Sequence, residues 1–437
     1  MRLTSTTLPA LLGAALLAGC AAGSGGMQVN PADIPALEAQ AQERPTDAAL
    51  MTRLGIAYYG QQNWARARDV LATAATLNPG NYRALVYLGL SYEELGALDS
   101  ARTTYERARG ATRGARQRGE IDDRLQLLTR KELAAAARRA IAQESTLAAT
   151  PPEPNTVAVF PFRYLGTNDT LRPLERGLAQ LVVSDLGKVR SLKLLEREQV
   201  QALVDELRLA SDGRVDPATG ARGGRLLRAQ NVVQGSLQEA GGNDVRLDAN
   251  AVNSTTASVS GSGSASGPLD QLLDQEKTVV FQLLDRMGIQ LTPAERTSLE
   301  ERPTRDLQAF LLYSEGLAAE DRGDFGGAAS LFGRAAARDP GFRDAGARAQ
   351  ASQSLSNAAA QSPTDLAGGD GGDEGGDQEL RPLVDAINPS SGSLTDSRSD
   401  PFTSPPVFRP GLPESQGQDN VIPGTLLGTI IIIIPRP

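Results

Sequence analysis

The sequence predicts an α+α/β fold in which helical hairpins flank an α/β domain and a disordered acidic C-terminal tail follows. Three observations support this architecture. Residues 48–113 repeat with a period of 34, apolar strands alternate with amphipathic helices over 155–291, and the composition becomes acidic and poor in apolar residues beyond 353. A length of 437 residues leaves room for two or three domains.

The first twenty residues predict export. Arg2 precedes an apolar stretch, Leu8 to Ala18, which has the features of a secretory signal and is too short to span a membrane as a helix. The stretch ends in Leu17-Ala18-Gly19-Cys20, which resembles the bacterial lipobox. This resemblance implies cleavage before Cys20, acylation of that residue, and a signal peptide over residues 1–19.

Lipidation also accounts for an unusual cysteine. Cys20 is the only cysteine in the chain, and a free thiol is a liability in an oxidising exported compartment. Acylation removes the thiol and supplies two or three chains, enough for stable membrane anchoring. Ala21 in place of aspartate resembles the outer-membrane sorting pattern. The alternative is an ordinary signal peptide that happens to contain a cysteine. We expect residues 20–47 to form a linker.

The composition argues against an enzyme and against a nucleic-acid partner. The chain contains no histidine, which excludes histidine-based catalysis and histidine-bound zinc. No phosphate-binding loop, dinucleotide motif or paired-carboxylate motif stands out, so no catalytic residue, cofactor or metal is predicted. Residues 361–437 carry −7 of the net charge of −8, and the near-neutral remainder does not suit nucleic acid.

Two helical hairpins and a capping helix are predicted in residues 48–147. The matching positions of the two copies lie 34 apart and include Gly55 and Gly89, Tyr58 and Tyr92, Ala67 and Ala101, with Pro79 closing the first copy. This pattern resembles the tetratricopeptide repeat, in which small residues let two helices cross closely and a proline ends the second helix. Asp122–Gln143 would form the capping helix. We expect these helices either to bind envelope proteins or peptides on a concave surface, or to dock on the next domain.

An α/β domain is predicted after a stiff linker, Pro151–Pro154. The predicted strands are Thr156–Phe162, Leu192–Leu195, Val232–Leu237, Val245–Val252 and Thr256–Ser260. The predicted helices are Leu171–Val189, Glu196–Leu209, Asp216–Ala229 and Leu269–Met287. The first strand is a continuous apolar run, which predicts burial on both faces of a sheet.

Several phrases of this domain resemble the CsgG family, which includes the curli secretion lipoprotein and related periplasmic α/β domains such as the TolB amino-terminal domain. The phrases are VAVFPF at 157–162, LKLLEREQV at 192–200, DGRVDPATG at 212–220 and NVVQGSLQE at 231–239. The resemblance covers residues 155–291 and identifies a fold better than an activity, because the motifs are structural. Glu196-Arg197 is interpreted as a helix start with an acidic first turn, not as a catalytic pair.

The segment 245–267 bears on the pore that the channel-forming member of this family implies. A membrane-spanning strand needs about 9–11 alternating residues. The first half of the segment alternates in this way, but the second half is made of serine, threonine and glycine, with almost no bulk to face lipid. We therefore interpret it as an edge hairpin of a soluble sheet.

A third tetratricopeptide-like unit is predicted in residues 305–352. Gly316, Ala328 and Pro340 take the positions that the first repeat assigns to glycine, alanine and proline. A single unit is too few for a stable stack, so we expect it to pack on the α/β domain, with a helix from Ala345 as its cap.

The remaining residues, 353–437, are predicted to be a disordered tail, because their composition cannot bury enough apolar surface. Thr425–Ile434 contains five consecutive isoleucines and predicts a terminal β-strand. That strand could add to the sheet edge of a partner, although we favour an edge of this protein's own sheet.

The leading hypothesis is a membrane-anchored envelope lipoprotein that acts as a non-enzymatic scaffold or assembly/secretion accessory factor. Its repeats would bind envelope proteins or peptides, its lipid would attach it to the periplasmic side of the outer membrane, and its CsgG-like domain could form a homo-oligomer. One alternative is a CsgG-type outer-membrane secretion channel. Another is a regulator of a cell-wall synthesis enzyme.

Overall fold

The computed structural model describes residues 34–207 and 217–368. Cys20, the tail beyond residue 368 and the isoleucine segment 425–434 lie outside the described residues. The lipid anchor, the disordered tail and the terminal strand therefore stay predictions.

Helices fill the first part of the described chain. They are α1 (Ile34–Glu43), α2 (Ala48–Gly60), α3 (Trp64–Leu77), α4 (Tyr82–Glu94), α5 (Leu98–Ala111), α6 (Ala115–Ala142) and α7 (Glu144–Ala149). Short polar side chains start several of them. Asp47 accepts a hydrogen bond from the Leu50 amide at 2.9 Å, and Asn81 accepts one from the Ala84 amide at 3.0 Å. These caps satisfy amides that have no partner within the helix.

The prediction that residues 20–47 form a linker is wrong for residues 34–43, because these form the helix α1. Ile34, Leu37 and Ala41 lie three and four positions apart and bury one face against α2. The hydroxyl of Tyr58 on α2 donates to Glu38 on α1 and ties the two helices together. The helix covers the apolar surface that the first repeat would otherwise expose.

The second part of the chain is a mixed sheet with helices on both faces. Its strands are β1 (Glu153–Val159), β2 (Arg163–Leu165), β3 (Lys193–Leu194), β4 (Ala229–Gly241), β5 (Asp244–Asn253) and β6 (Val259–Pro268). Its helices are α8 (Leu174–Leu186), α9 (Arg197–Leu207), α10 (Pro217–Leu227) and α11 (Leu272–Arg286). The strand order is β3-β1-β4-β5-β6, with β2 also paired to β4. Pairs β1·β3 and β1·β4 are parallel, whereas β4·β5 and β5·β6 are antiparallel.

The first strand is buried on both faces, as predicted. Val157 and Val159 point into the core that contains α8 and α11, whereas Ala158 and Phe160 point into a smaller core that contains α9. Several element boundaries differ from the prediction by a few residues, and two differences change the interpretation of a segment. The expected stiff linker at residues 151–154 already enters β1 at Glu153. The last strand is β6 at Val259–Pro268, not Thr256–Ser260.

The glycine-rich half of the 245–267 segment is an edge strand, β6, covered by α11. A side-chain carbon placed on Gly261 would lie 2.6 Å from the Met287 Cγ, and one on Gly263 would overlap the Val279 carbonyl. The helix backbone thus approaches the strand closely, and only glycine leaves room for it. The small residues that weaken the strand's apolar character are there for helix packing.

Helices also form the last described part: α12 (Pro293–Glu300), α13 (Leu307–Asp321), α14 (Phe325–Arg338), α15 (Arg343–Ala360) and α16 (Pro363–Ala367). The predicted start of the tail at residue 353 is wrong, because α15 runs on to Ala360 and α16 follows. Leu355 and Ala358 are buried, which extends the packed face of α15 beyond the predicted cap. Packed helices therefore occupy residues that the sequence assigns to the tail.

Two large apolar cores hold most of these elements. The core of α2 to α5 includes α1 and residues of α6, and it also takes in Leu366 of α16. The core of the sheet is continuous with α13 and α14 through residues such as Phe310 and Phe332. The prediction that the third helical unit packs on the α/β domain is confirmed. None of the described helices is long and apolar enough to cross a membrane.

Candidate functional site

Three helical hairpins share one seam geometry, and we name them unit 1 (α2 and α3), unit 2 (α4 and α5) and unit 3 (α13 and α14). In each unit a glycine on the first helix lies under a large residue of the second helix, 16 positions later. A side-chain carbon on the glycine would overlap that residue in each pair: Gly55 with Leu71, Gly89 with Tyr105, and Gly316 with Phe332. The helices therefore cross at a distance that only glycine permits.

The other predicted signature residues divide between the seam and the surface. The alanines are completely buried in all three units: Ala67, Ala101 and Ala328. Tyr58 is buried and Tyr92 is half-buried. Pro79 and Pro340 are exposed, and each follows the C-cap residue of the second helix of its unit, Asn78 or Asp339. They stop the helix because proline has no amide hydrogen to continue it.

The surface of the first helix has a different neighbour in each unit. We define the first-helix face by the positions six and two residues before the seam glycine: Ala49 and Arg53, Arg83 and Tyr87, Phe310 and Ser314. In unit 3 this face is fully buried against α8, where a side-chain carbon on Gly177 would overlap Ser314. In unit 2 it is covered by α16. In unit 1 both residues are exposed.

In units 2 and 3 a buried glutamate binds the helix that follows the unit. Glu93 and Glu320 both lie four residues after their seam glycine, and each receives an arginine from the helix that follows its unit. Arg124 of α6 donates to Glu93 through Nε at 3.0 Å, and Arg348 of α15 pairs with Glu320 at 2.9 Å. Each capping helix is thus fixed to its unit by a charged contact as well as by apolar packing.

Unit 3 is joined to the sheet domain by a buried ionic cluster centred on Arg197, the arginine of the LKLLEREQV phrase. Its Nη1 lies 2.6 Å from Oδ1 of Asp321, and Arg176 Nε lies 2.7 Å from Oδ2 of the same carboxylate. The side chains of Arg197 and Asp321 are 6% and 5% exposed. Burial lowers the pKa of Arg197, but Asp321 and the neighbouring carboxylates raise it by more, so the guanidinium stays charged.

The N-terminal helices reach the same cluster. Arg130 of α6 pairs with Oε1 of Glu320 at 2.8 Å, beside the contact that Arg348 makes with Oε2. The guanidinium of Arg130 also lies over the Phe325 ring, 5.0 Å from its centroid. One carboxylate of unit 3 therefore connects α6, α13 and α15. The cavity beside Arg197 measures about 10 Å³, which is room for one water and not for a small-molecule substrate.

A second buried charged cluster lies between α8 and α11. Lys277 Nζ is 2.5 Å from Asp185 Oδ2, and Lys188 Nζ is 2.9 Å from Oδ1. Glu276 is almost fully buried, and neither of its oxygens receives a hydrogen bond. Burial, followed by the charge of Asp185, raises the pKa of Glu276 to about 8. The described residues hold no cluster of three or more carboxylates or thiols placed to bind a metal ion.

Two family models match parts of the chain. Residues 52–116 match the tetratricopeptide repeat, and residues 138–243 match the curli production assembly/transport component CsgG. The chain contains a CsgG-family domain. The tetratricopeptide match spans units 1 and 2, and the match to the CsgG-family domain ends at the turn between β4 and β5. No curated protein matches the chain.

Sequence reasoning missed three features of these surfaces. The partners of Arg197 in unit 3, Glu320 and Asp321, lie more than 120 residues away along the chain, and Glu276 sits within an ordinary amphipathic helix. Neither gives a local signal. For α16 a signal exists, because Ser362-Pro363 followed by Asp365 is a typical helix start with a capping side chain and a first-turn proline.

Proposed function

We propose that this chain is an envelope lipoprotein that acts as a non-enzymatic scaffold, an accessory factor in assembly or secretion that works through protein–protein contacts. The proposal rests on the first-helix face, which another helix covers in units 2 and 3 and which is exposed in unit 1. In unit 3 the face packs against α8, in unit 2 it packs against α16, and in unit 1 it is open at Ala49 and Arg53. A surface that takes a helical segment in two units is suited to take one from a partner in the remaining unit.

The ionic clusters support a rigid role for the chain. Arg130, Arg197 and Arg348 converge on the end of α13, so units 1 and 2 are tied through α6 to unit 3 and to the CsgG-family domain. A scaffold needs its binding surfaces at fixed positions, and buried, hydrogen-bonded charges fix geometry more strongly than exposed pairs.

We also propose attachment to the outer membrane through a lipid on Cys20, with the protein facing the periplasm. The Leu17-Ala18-Gly19-Cys20 motif supports the lipid, and the name of the matched family, a curli production assembly/transport component, supports a role in export or assembly at that membrane. A homo-oligomer of the CsgG-family domain would repeat the open face of unit 1 around a ring.

Affinity capture from detergent-solubilised envelopes tests the scaffold proposal with the full-length chain as bait. Arg53→Glu reverses a charge on the open face, and Arg107→Glu makes the same change at an exposed position of α5, on the second-helix side. We expect a reproducible partner with the natural chain and with R107E, reduced at least tenfold with R53E. Equal capture by the two variants, or no specific partner for any of the three baits, would contradict the proposal.

A further inference from the structure

The groove between α4 and α6 is filled by a short segment from the far end of the described chain. Leu366 and Ala367 of α16 are 3% and 5% exposed, and they belong to the same apolar cluster as Leu85 of α4 and Ile121 of α6. The segment contacts α4 and α6, which line one side of the stack. It occupies the first-helix face of unit 2.

Two tyrosines of α4 hold the segment by polar contacts. The Tyr82 hydroxyl donates to the Leu366 carbonyl at 2.9 Å, and the Tyr87 hydroxyl contacts the side chain of Thr364. Burial raises the pKa of both hydroxyls above the ordinary tyrosine value. A tyrosine that binds a main-chain carbonyl recognises the path of a backbone, which is a property of peptide-binding surfaces.

Charged side chains of α4 and α6 lie near the aspartate of the segment. Asp365 acts electrostatically on Arg116 at the start of α6 and raises the pKa of that guanidinium, although the salt bridge to Glu120 contributes more. Arg83 and Asp365 both lie near the Tyr87 hydroxyl, on which they act with opposite sign. Arg116 is itself paired with Glu120 at 2.8 Å, so the aspartate of the segment lies near arginines and a carboxylate together.

The segment itself is a capped turn that needs the groove to stay ordered. Ser362 Oγ accepts a hydrogen bond from the Asp365 amide at 3.1 Å, and Pro363 occupies the first turn. A helix of five residues is far below the length that is stable alone in water. Only Gln361 and Ser362 separate it from α15, which packs on α6 and so keeps the segment close to the groove.

We propose that the groove between α4 and α6 is a peptide-binding site and that α16 is its tethered ligand, which a partner segment displaces. The partner segment has the chemistry of the natural occupant: a capped helical turn with an aspartate, then a leucine, then a small residue. This inference rests on the proposed function, since it names the kind of segment that the repeats bind. Displacement of α16 would join the groove of unit 2 to the open face of unit 1.

Tethering sets the size of the expected effect. A short flexible tether holds its ligand at an effective concentration of about 1 mM. A free peptide of about 50 μM intrinsic affinity would therefore bind the occupied groove roughly 20-fold more weakly than an open one. An opened groove should thus differ from the natural one by more than an order of magnitude, well within the reach of a titration.

Fluorescence anisotropy of a labelled synthetic peptide, residues 361–368, measures this difference on the full-length chain. Leu366→Asp places a charge in the apolar groove and releases α16. Leu77→Asp makes the same change at an exposed leucine of α3 and serves as the matched control. We expect the peptide to bind L366D at least tenfold more tightly than the natural chain or L77D. A peptide with aspartate at the leucine position should not bind.

The possible outcomes separate clearly. Absence of peptide binding to folded L366D, or equal binding to all three chains, would overturn the inference. If L366D loses its helical circular dichroism, Ala367→Asp, which also changes α16 and leaves the groove intact, replaces it; several-fold tighter binding than the natural chain is expected, and unchanged binding overturns the inference. A natural chain that sediments as a dimer and becomes monomeric in L366D would show exchange of α16 between copies, which also overturns it.

Failure of this inference and failure of the proposed function give different results. Partner capture that depends on Arg53, with no peptide bound by any variant, refutes the tethered-ligand inference alone. Peptide binding to L366D, with envelope capture insensitive to R53E, supports the groove and refutes the role of the open face in unit 1.

Discussion

Replacement of Asp321 by asparagine tests whether the ionic cluster joins unit 3 to the CsgG-family domain. The carboxylate is 5% exposed and binds Arg197 at 2.6 Å and Arg176 at 2.7 Å. In Asp321→Asn the nearest carboxylates to Arg197 are Glu198 at 3.3 Å and Glu320 at 3.7 Å. Breaking a buried pair costs about 3–5 kcal/mol, and the two remaining carboxylates favour the lower end, about 3 kcal/mol.

Urea denaturation at neutral pH, followed by circular dichroism, measures this loss. The sheet and unit 3 share one core, so they should unfold in one transition, and the midpoint of that transition should fall in Asp321→Asn. Asp122→Asn is the matched control. Its pair with Arg109 lies on the surface, with side chains 43% and 51% exposed, and is worth less than about 1 kcal/mol.

A loss no larger than that of the control would refute the account of the junction. The triple variant Arg176→Met/Arg197→Met/Asp321→Leu sharpens the test, because it replaces both arginines that bind Asp321 as well as the carboxylate, and apolar residues of similar size often replace buried ionic groups with little loss. We expect this triple variant to be more stable than Asp321→Asn alone. If it is less stable, packing around the cluster, and not unpaired charge, dominates.

Three further predictions follow from the other buried features. Burial raises the pKa of Glu276 to about 8 from an ordinary 4.5, so between these pH values the folded protein keeps a proton that the unfolded chain releases. The melting temperature should therefore fall as pH rises from 4.5 to 8, and Glu276→Gln should reduce that fall. Gly89→Ala should cost about 1–3 kcal/mol in urea melts by overpacking Tyr105, whereas Gly110→Ala, with open space around it, should be neutral or stabilising. Cys20→Ser should remain uncleaved or become soluble, and an unacylated mature natural chain in mass spectrometry would contradict lipidation.

Features with a local or periodic cause could be predicted from the sequence. The seam glycines, the buried alanines and the prolines recur at fixed spacing, because in every hairpin two helices cross closely and the second helix must end. Burial of the first strand on both faces could be predicted from the continuous apolar run of Thr156–Phe162, and the structure has helices on either side of it.

Features that depend on distant partners could not be predicted. The extent of β6 was misjudged because its glycines make room for α11, and glycine by itself indicates a loop as readily as a close contact. Helices α1 and α16 are short, and their apolar faces are buried only by packing against α2, α4 and α6. Arg197 carries no signal of its role at the junction, since Asp321 and Glu320 come from a helix that follows the whole sheet.

Site-specific photo-crosslinking in intact cells tests the central claim, that the open first-helix face of unit 1 binds a partner. A photoreactive phenylalanine replaces Ala49, on that face, or Arg107, on the second-helix side, in the otherwise natural full-length chain. The account predicts a discrete crosslinked adduct with one envelope protein at position 49 and none at position 107. No adduct at either position, or the same adducts at both, would contradict it.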